Sequence, residues 1–189
     1  MITNPQSLDF TVYPKTTKQK EQDALRNWLI DIFESDFIKE RCFFATLLFV
    51  DNIKIDNANK QYGNFIHYLN RKVYGKTLVR YPNDKNPIKQ VGIIEGGELS
   101  SNIHYHCLFV NPYDKNFSDK ELMDLIKNCW FKLPKSMKKS DISVNIVKVH
   151  NISGAIEYST KFYSKQTMFD KSYTDCVDLK NSYLGPAKK

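Results

Sequence analysis

The chain has 189 residues, of which 41% are hydrophobic and 26% charged, so it can bury a core of its own. Its net charge of +7 and its 13% of aromatic residues favour a polyanionic partner, single-stranded nucleic acid in particular, because bases stack on rings while Lys and Arg contact phosphates. No apolar run is long enough to cross a membrane and no signal peptide is evident, so we expect a cytoplasmic protein without a membrane partner.

The first third of the chain predicts an arm, a helix and a buried strand. Residues 1–15 form the arm, and an amphipathic helix follows over about 16–39, opened by a capping box of Thr16 and Gln19. Residues 42–50 are apolar on both faces of a strand, which is typical of the centre of a sheet.

A second helix is predicted over residues 59–74, followed by a polar loop that holds a short strand at 77–80. Basic residues of this region are candidates for DNA contacts, although a solvated face explains them equally well. They are Arg71, Lys72, Lys76 and Arg80.

Two short strands around a Gly-rich turn carry an acid and two histidines. If they pair as a hairpin, Glu95 lies opposite His104 and Ile93 opposite His106, and all three polar side chains share one face. Such a group predicts a metal site with open positions for water or substrate. Glu98 is the rival third ligand, but it falls in the turn.

The remaining chain predicts a helix between Ser118 and Pro134, a strand at 142–149, a helix from Ser153 to about Gln166, and a tail at 167–189 that we expect to be partly disordered. Residues 1–166 then form a single domain. Mixed strands with a tight hairpin and covering helices predict an α+β fold with a central, largely antiparallel sheet flanked by helices.

The last helix carries a candidate nucleophile. On a helical wheel Tyr158 lies with Lys161 and Lys165, whereas Tyr163 falls on the opposite, packing face and is the alternative nucleophile. A neighbouring ammonium favours the phenolate form of a tyrosine. An attacking Tyr158 beside an open metal site is suited to forming a covalent phosphotyrosine link with DNA.

Three motifs, in order, resemble those of the HUH endonuclease superfamily and its rolling-circle replication initiators. The first is a Thr-containing apolar strand, the second is histidine–hydrophobic–histidine with an upstream acid, and the third is Tyr-x-x-Lys on a helix. Here they read FFATLLFVD at 43–51, His104-Tyr105-His106 with Glu95, and Tyr158-Ser159-Thr160-Lys161. Phe162 stands where two-tyrosine members have a second tyrosine, so the chain resembles the single-tyrosine type.

The resemblance implies a sheet of about five antiparallel strands and Mg²⁺ or Mn²⁺ bound by both histidines and a third polar ligand. It implies that Tyr158 attacks single-stranded DNA or an origin hairpin, leaving a 5′-phosphotyrosine and a free 3′-OH, with Lys161 assisting. Thr46 is core rather than chemistry on its strand pattern, and with Lys165 is only a weak candidate for DNA contact. Because no GxxxxGK[ST] loop is present, we expect a separate helicase.

Two alternatives to a plasmid or phage replication initiator remain open. A single-tyrosine HUH transposase would use the same residues, and such enzymes are usually dimers. A non-catalytic relative would bind single-stranded DNA without a covalent product, although a pure binder has no need of the Glu95, His104, His106 and Tyr158 set.

Overall fold

A computed structural model describes residues 15–35, 38, 40–49, 53–75, 87–96, 103–133, 144–161 and 176–185 of the chain. These residues form four helices and four strands. In chain order they are α1 (Thr17–Phe33), β1 (Cys42–Leu48), α2 (Ile55–Tyr74), β2 (Gln90–Glu95), β3 (His104–Val110), α3 (Asp119–Trp130), β4 (Val144–Lys148) and α4 (Ile152–Thr160).

The strands form one antiparallel sheet in the order β2-β3-β1-β4. The predicted α+β class is therefore confirmed, with four strands among the described residues where the resemblance implied about five. β1 pairs with a strand on each side, as its two apolar faces predicted. The predicted short strand at 77–80 and the arm at 1–14 lie outside the described residues.

Alternation of side chains along the strands builds a core on each face of the sheet. On one face, Phe43 and Leu47 of β1 pack with the apolar sides of α2 and α3. On the other, Val91 and Leu108 pack with α1 and α4. The histidines of β3 have the same parity as Leu108, so they lie on the sheet face that α1 and α4 cover.

Two helix starts differ from the sequence predictions. α2 begins at Ile55, one turn before the predicted start at residue 59. Ser153 was predicted to cap the last helix, but this is wrong: the Asn151 side chain accepts a hydrogen bond from the Gly154 backbone at 2.9 Å and is the N-cap. Asn and Ser are both strong N-cap residues, and the sequence offered both within three positions. The predicted capping boxes at Thr16 and Ser118 are both formed.

Residues 176–185 lie along the outer edge of β2, a feature that the weak periodicity of the tail did not predict. Backbone hydrogen bonds join Gln90 to Tyr183 in both directions, and Ile94 and Gly92 to residues 176 and 178. The edge of the strand that carries Glu95 is therefore paired rather than open.

Two glycines, one on β2 and one on α2, allow neighbouring side chains to pack closely against the backbone. A Cβ at Gly92 would lie 2.5 Å from the Tyr62 ring, and one at Gly63 would lie 2.6 Å from the Asn181 side chain. Both positions require a residue without a side chain.

The four cysteines are free, and Cys42, Cys107 and Cys129 are buried. In the part of the chain that the structure describes, no helix has both the length and the apolar character needed to cross a membrane.

Candidate active site

The predicted hairpin register is confirmed: Glu95 pairs with His104, and Ile93 with His106. Three side-chain atoms converge as a result. Glu95 Oε2 lies 2.7 Å from His106 Nε2 and 3.3 Å from His104 Nε2, and the two Nε2 atoms are 3.3 Å apart. Glu95, His104 and His106 can hold a metal ion.

The two 3.3 Å separations suit a divalent cation, whereas the 2.7 Å separation between Glu95 and His106 is that of a hydrogen bond. Metal–ligand bonds of about 2.1 Å at tetrahedral or octahedral angles place neighbouring ligand atoms about 3.0–3.4 Å apart. Three mutually adjacent donors cover one side of an ion and leave the other side open. One carboxylate and two imidazoles are compatible with Mn²⁺, whereas Mg²⁺ prefers oxygen ligands.

The charges of the cluster also favour cation binding. Burial is the largest influence on the pKa of His106 and lowers it, an effect that the charges of His104 and Lys161 reinforce and the contact with Glu95 partly offsets. Burial raises the pKa of Glu95, but hydrogen bonds and charge attraction from both histidines outweigh it, so this pKa is lowered overall. A neutral imidazole and an ionised carboxylate are the forms that bind metals.

Two side chains of β1 contact the His106 ring. Thr46 Oγ1 lies 3.3 Å from His106 Nδ1, and the Phe44 ring stacks on the imidazole with centroids 5.3 Å apart. A hydroxyl both donates and accepts, so Thr46 can serve either tautomer of the ring. Thr46 was interpreted from the sequence as core or as a weak DNA contact, and the structure places it against the candidate ligand His106. The sequence alone did not show that Thr46 pairs with His106 across β1 and β3.

Tyr158 reaches the cluster from α4. Its ring lies 5.3 Å from the His106 ring and 5.9 Å from that of Phe44, measured between centroids. The side chain is 50% exposed, so it is accessible to a large substrate, while Ile156 and Thr160 on the other face of the helix are buried. The helical wheel predicted this division of faces.

Lys161 stands beside Tyr158, with its Nζ 3.5 Å from the centroid of the tyrosine ring. The ammonium therefore lies over the ring face, in a cation–π arrangement. Its charge also reaches His106, whose pKa it lowers. Lys161, the residue directly after α4, thus places one cation next to both the tyrosine and the candidate metal ligands.

Tyr105, between the two histidines, points to the opposite face of the sheet. Its hydroxyl contacts Asn59 of α2 at 2.6 Å and Asp178 of the C-terminal segment at 3.1 Å. Its ring stacks on Tyr62 with centroids 4.1 Å apart. Burial raises the pKa of Tyr105, so the hydroxyl stays a neutral donor. These contacts hold β3 between α2 and the tail, which the sequence did not indicate.

Two of the remaining candidates lie away from the cluster among the described residues. Arg71 and Lys72 are exposed on α2, which covers the other face of the sheet. The others lie outside the described residues, so their predicted roles stay predictions. They are the alternative nucleophile Tyr163, the rival ligand Glu98, and the basic residues Lys76, Arg80 and Lys165.

Residues 42–167 match the family model of the ORF2-type replication-associated protein, and this range covers about two thirds of the chain. The chain belongs to this family. As a replication-associated protein of the ORF2 type it has a role linked to DNA replication, and its family region contains all four strands, both histidines, Glu95 and Tyr158. α1 and residues 176–185 lie outside that region. No curated protein and no solved structure matches the chain.

Proposed function

We propose that this replication-associated protein is a single-tyrosine HUH endonuclease that starts rolling-circle replication of a plasmid or phage by nicking single-stranded DNA or an origin hairpin. The observation that carries the proposal is the position of Tyr158, whose ring lies 5.3 Å from a histidine of the Glu95, His104 and His106 cluster. A solvent-accessible tyrosine at a three-donor metal site has the parts needed for phosphodiester transesterification.

In the proposed reaction the Tyr158 oxygen forms a bond to phosphorus, and the bond from phosphorus to the 3′ oxygen of the preceding nucleotide breaks. The products are a 5′-phosphotyrosine and a free 3′-OH, so the proton lost by the phenol is balanced by the one that the 3′ oxygen gains. Reversal of the same step by a 3′-OH rejoins the strand. One phosphorus–oxygen ester bond forms for each one that breaks, so no external energy source is needed.

The chain's own residues account for the orientation of the nucleophile. His106 and Phe44 contact the Tyr158 ring, which limits where its oxygen can lie. The ammonium of Lys161 lies over the Tyr158 ring and is suited to contact the phosphate. Glu95, His104 and His106 would hold Mn²⁺ or Mg²⁺, which when bound polarises the phosphodiester and offsets the charge that builds on its oxygens.

The family match favours a replication protein over the transposase that the sequence left open. DNA unwinding is assigned to a separate, host- or element-encoded helicase. A non-catalytic DNA-binding relative is the second function, and it is an outcome of the test below.

The test is incubation with an end-labelled library of single-stranded DNA, with Mn²⁺ and then with EDTA. We expect cleaved strands with Mn²⁺ and none with EDTA, and no cleavage by Glu95→Gln, which keeps the size of the side chain but removes its charge. Salt-sensitive binding without cleavage under every metal tested would identify the non-catalytic relative instead. Cleavage that persists in EDTA would refute the metal assignment.

A further inference from the structure

Two side chains of α1 hold the C-terminal end of the tyrosine helix. Gln22 Nε2 donates a hydrogen bond to the Thr160 carbonyl at 2.7 Å, and Arg26 Nε donates to Thr160 Oγ1 at 2.8 Å. Thr160 is fully buried and Gln22 is 5% exposed, so solvent does not compete for the Gln22 bond, whereas the Arg26 bond is partly buried. α1 precedes the residues that match the family model, which begin at 42.

α4 needs such support because it has only nine residues. A helix this short is marginal by itself, and its last carbonyls have no partners within the helix. No basic residue lies within its last turn, and Lys161, whose side chain lies over the Tyr158 ring, follows as the C-cap. Gln22 supplies a partner for one of these carbonyls, and Arg26 places a positive charge at the negative end of the helix dipole.

Gln22 and Arg26 together form a clamp on Thr160, and Thr160 connects this clamp to the backbone of α4. Its hydroxyl accepts from Arg26 and donates to the Ile156 carbonyl at 2.8 Å, so the guanidinium is linked to the helix axis rather than to one free side chain. Tyr158 lies two residues earlier on the exposed face. The same turn therefore carries the nucleophile on its outer side and the clamped residue on its inner side.

Apolar packing alone fixes only the other end of α4. Ile152 and Ile156 pack with Leu29 and Phe33 of α1, toward the start of α4. The hydrogen bonds at Thr160 restrain the end that leads into Lys161. Two attachment points, one apolar and one polar, determine both the tilt and the rotation of the helix.

We propose that Gln22 and Arg26 are positioning residues that set the placement of Tyr158 over His106 by clamping Thr160. The inference rests on the proposed nicking reaction. It assigns a role in that reaction to α1, which lies outside the family region. Residues that do not touch the substrate can affect the rate in this way, because a displacement of about 1 Å at a reacting group can lower a rate about 100-fold.

The first test measures the single-turnover rate of DNA adduct formation. Arg26→Ala and Thr160→Val should each lower this rate about 10–100-fold while Mn²⁺ affinity and DNA affinity stay unchanged. Thr160→Ser keeps the hydroxyl and should restore the rate, and Arg26→Lys, which keeps the charge but not the directed Nε donor, should give an intermediate rate. Both variants remove the hydrogen bond between Arg26 and Thr160, so the rate loss in the double variant Arg26→Ala/Thr160→Val should be smaller than the two single losses combined. Thr160→Val also removes the bond to the Ile156 carbonyl.

Lys20→Ala is the matched control, because it removes one positive charge from an exposed position of the same helix. Its rate should equal that of the wild type. An unchanged rate for Arg26→Ala, additive effects in the double variant, or rate losses that follow a loss of Mn²⁺ affinity or of folded protein would each overturn the positioning role.

A second measurement does not depend on activity. In protein labelled with 3-fluorotyrosine, the Tyr158 fluorine signal is identified by its loss in Tyr158→Phe. This signal should shift in Arg26→Ala and in the milder Arg26→Lys, because the ring moves relative to His106 and Phe44, and it should stay in place in Lys20→Ala. If the wild type forms no adduct, the proposed function fails, and the fluorine signal alone decides the positioning role: a signal unmoved by either Arg26 variant would refute it.

Discussion

Replacing Thr46 with Val tests whether the Thr46 hydroxyl orients His106 for metal binding. Val has nearly the same shape as Thr but cannot hydrogen-bond His106 Nδ1, which lies 3.3 Å from Thr46 Oγ1. An Nε2 lone pair that is free to bind a metal requires the proton on Nδ1, where the Thr46 oxygen accepts it. Without that oxygen, the Nδ1–H group of the metal-binding tautomer has no acceptor on Thr46.

The structure gives the size of the effect. His106 is only 2% exposed, so water does not replace the lost partner. A buried, unpaired N–H costs about 1–3 kcal/mol. Loss of such supporting hydrogen bonds typically lowers metal affinity about 10–100-fold, which corresponds to about 1.4–2.7 kcal/mol. The two estimates agree, and we expect Thr46→Val to weaken Mn²⁺ binding about 10–100-fold.

Mn²⁺ affinity is measured by the decrease of the electron paramagnetic resonance signal of free Mn²⁺ during titration with protein. Thr46→Ser keeps the hydroxyl and should bind Mn²⁺ as the wild type does. Urea unfolding without metal controls for a general loss of stability. Equal Mn²⁺ affinities for Thr46→Val and the wild type would refute the role of Thr46 in orienting His106.

Two further predictions concern the edge strand that carries Glu95. Gly92→Ala should lower the free energy of unfolding by about 1–3 kcal/mol, because the added Cβ meets the Tyr62 ring at 2.5 Å; an unchanged urea midpoint would contradict this close packing. Removal of residues 176–189 exposes the edge of β2 and removes the buried Val177, so the free energy of unfolding should fall by about 3 kcal/mol. A truncated protein with wild-type stability and wild-type Mn²⁺ affinity would show that the tail does not hold β2.

The cluster of Glu95, His104 and His106 was predictable because its geometry is local. A hairpin with alternating side chains has one register that places Glu95 and both histidines on one face, and neighbouring strands realise it. The exposed side of Tyr158 likewise followed from the helical period. Both inferences used residues close together in the chain, where strand and helix periodicity determine direction.

Contacts between distant segments could not be predicted in this way. The bond of Thr46 to His106 depends on which strand lies next to β3, and 60 positions separate the two residues. The clamp of Arg26 on Thr160 spans 134 positions, and polar side chains of α1 have no pattern that indicates a partner. The pairing of residues 176–185 with β2 rests mainly on backbone hydrogen bonds, which leave little mark on side-chain periodicity.

The covalent link to DNA tests the central claim most directly. Wild-type protein is incubated with Mn²⁺ and a single-stranded origin oligonucleotide selected from the library, and the product is digested and mapped by mass spectrometry. We predict that a 5′-phosphorylated nucleotide is attached to Tyr158 and that Tyr158→Phe, which should fold normally because the side chain is half exposed, forms no adduct. An adduct on Tyr163, or one that persists in Tyr158→Phe, would contradict the account.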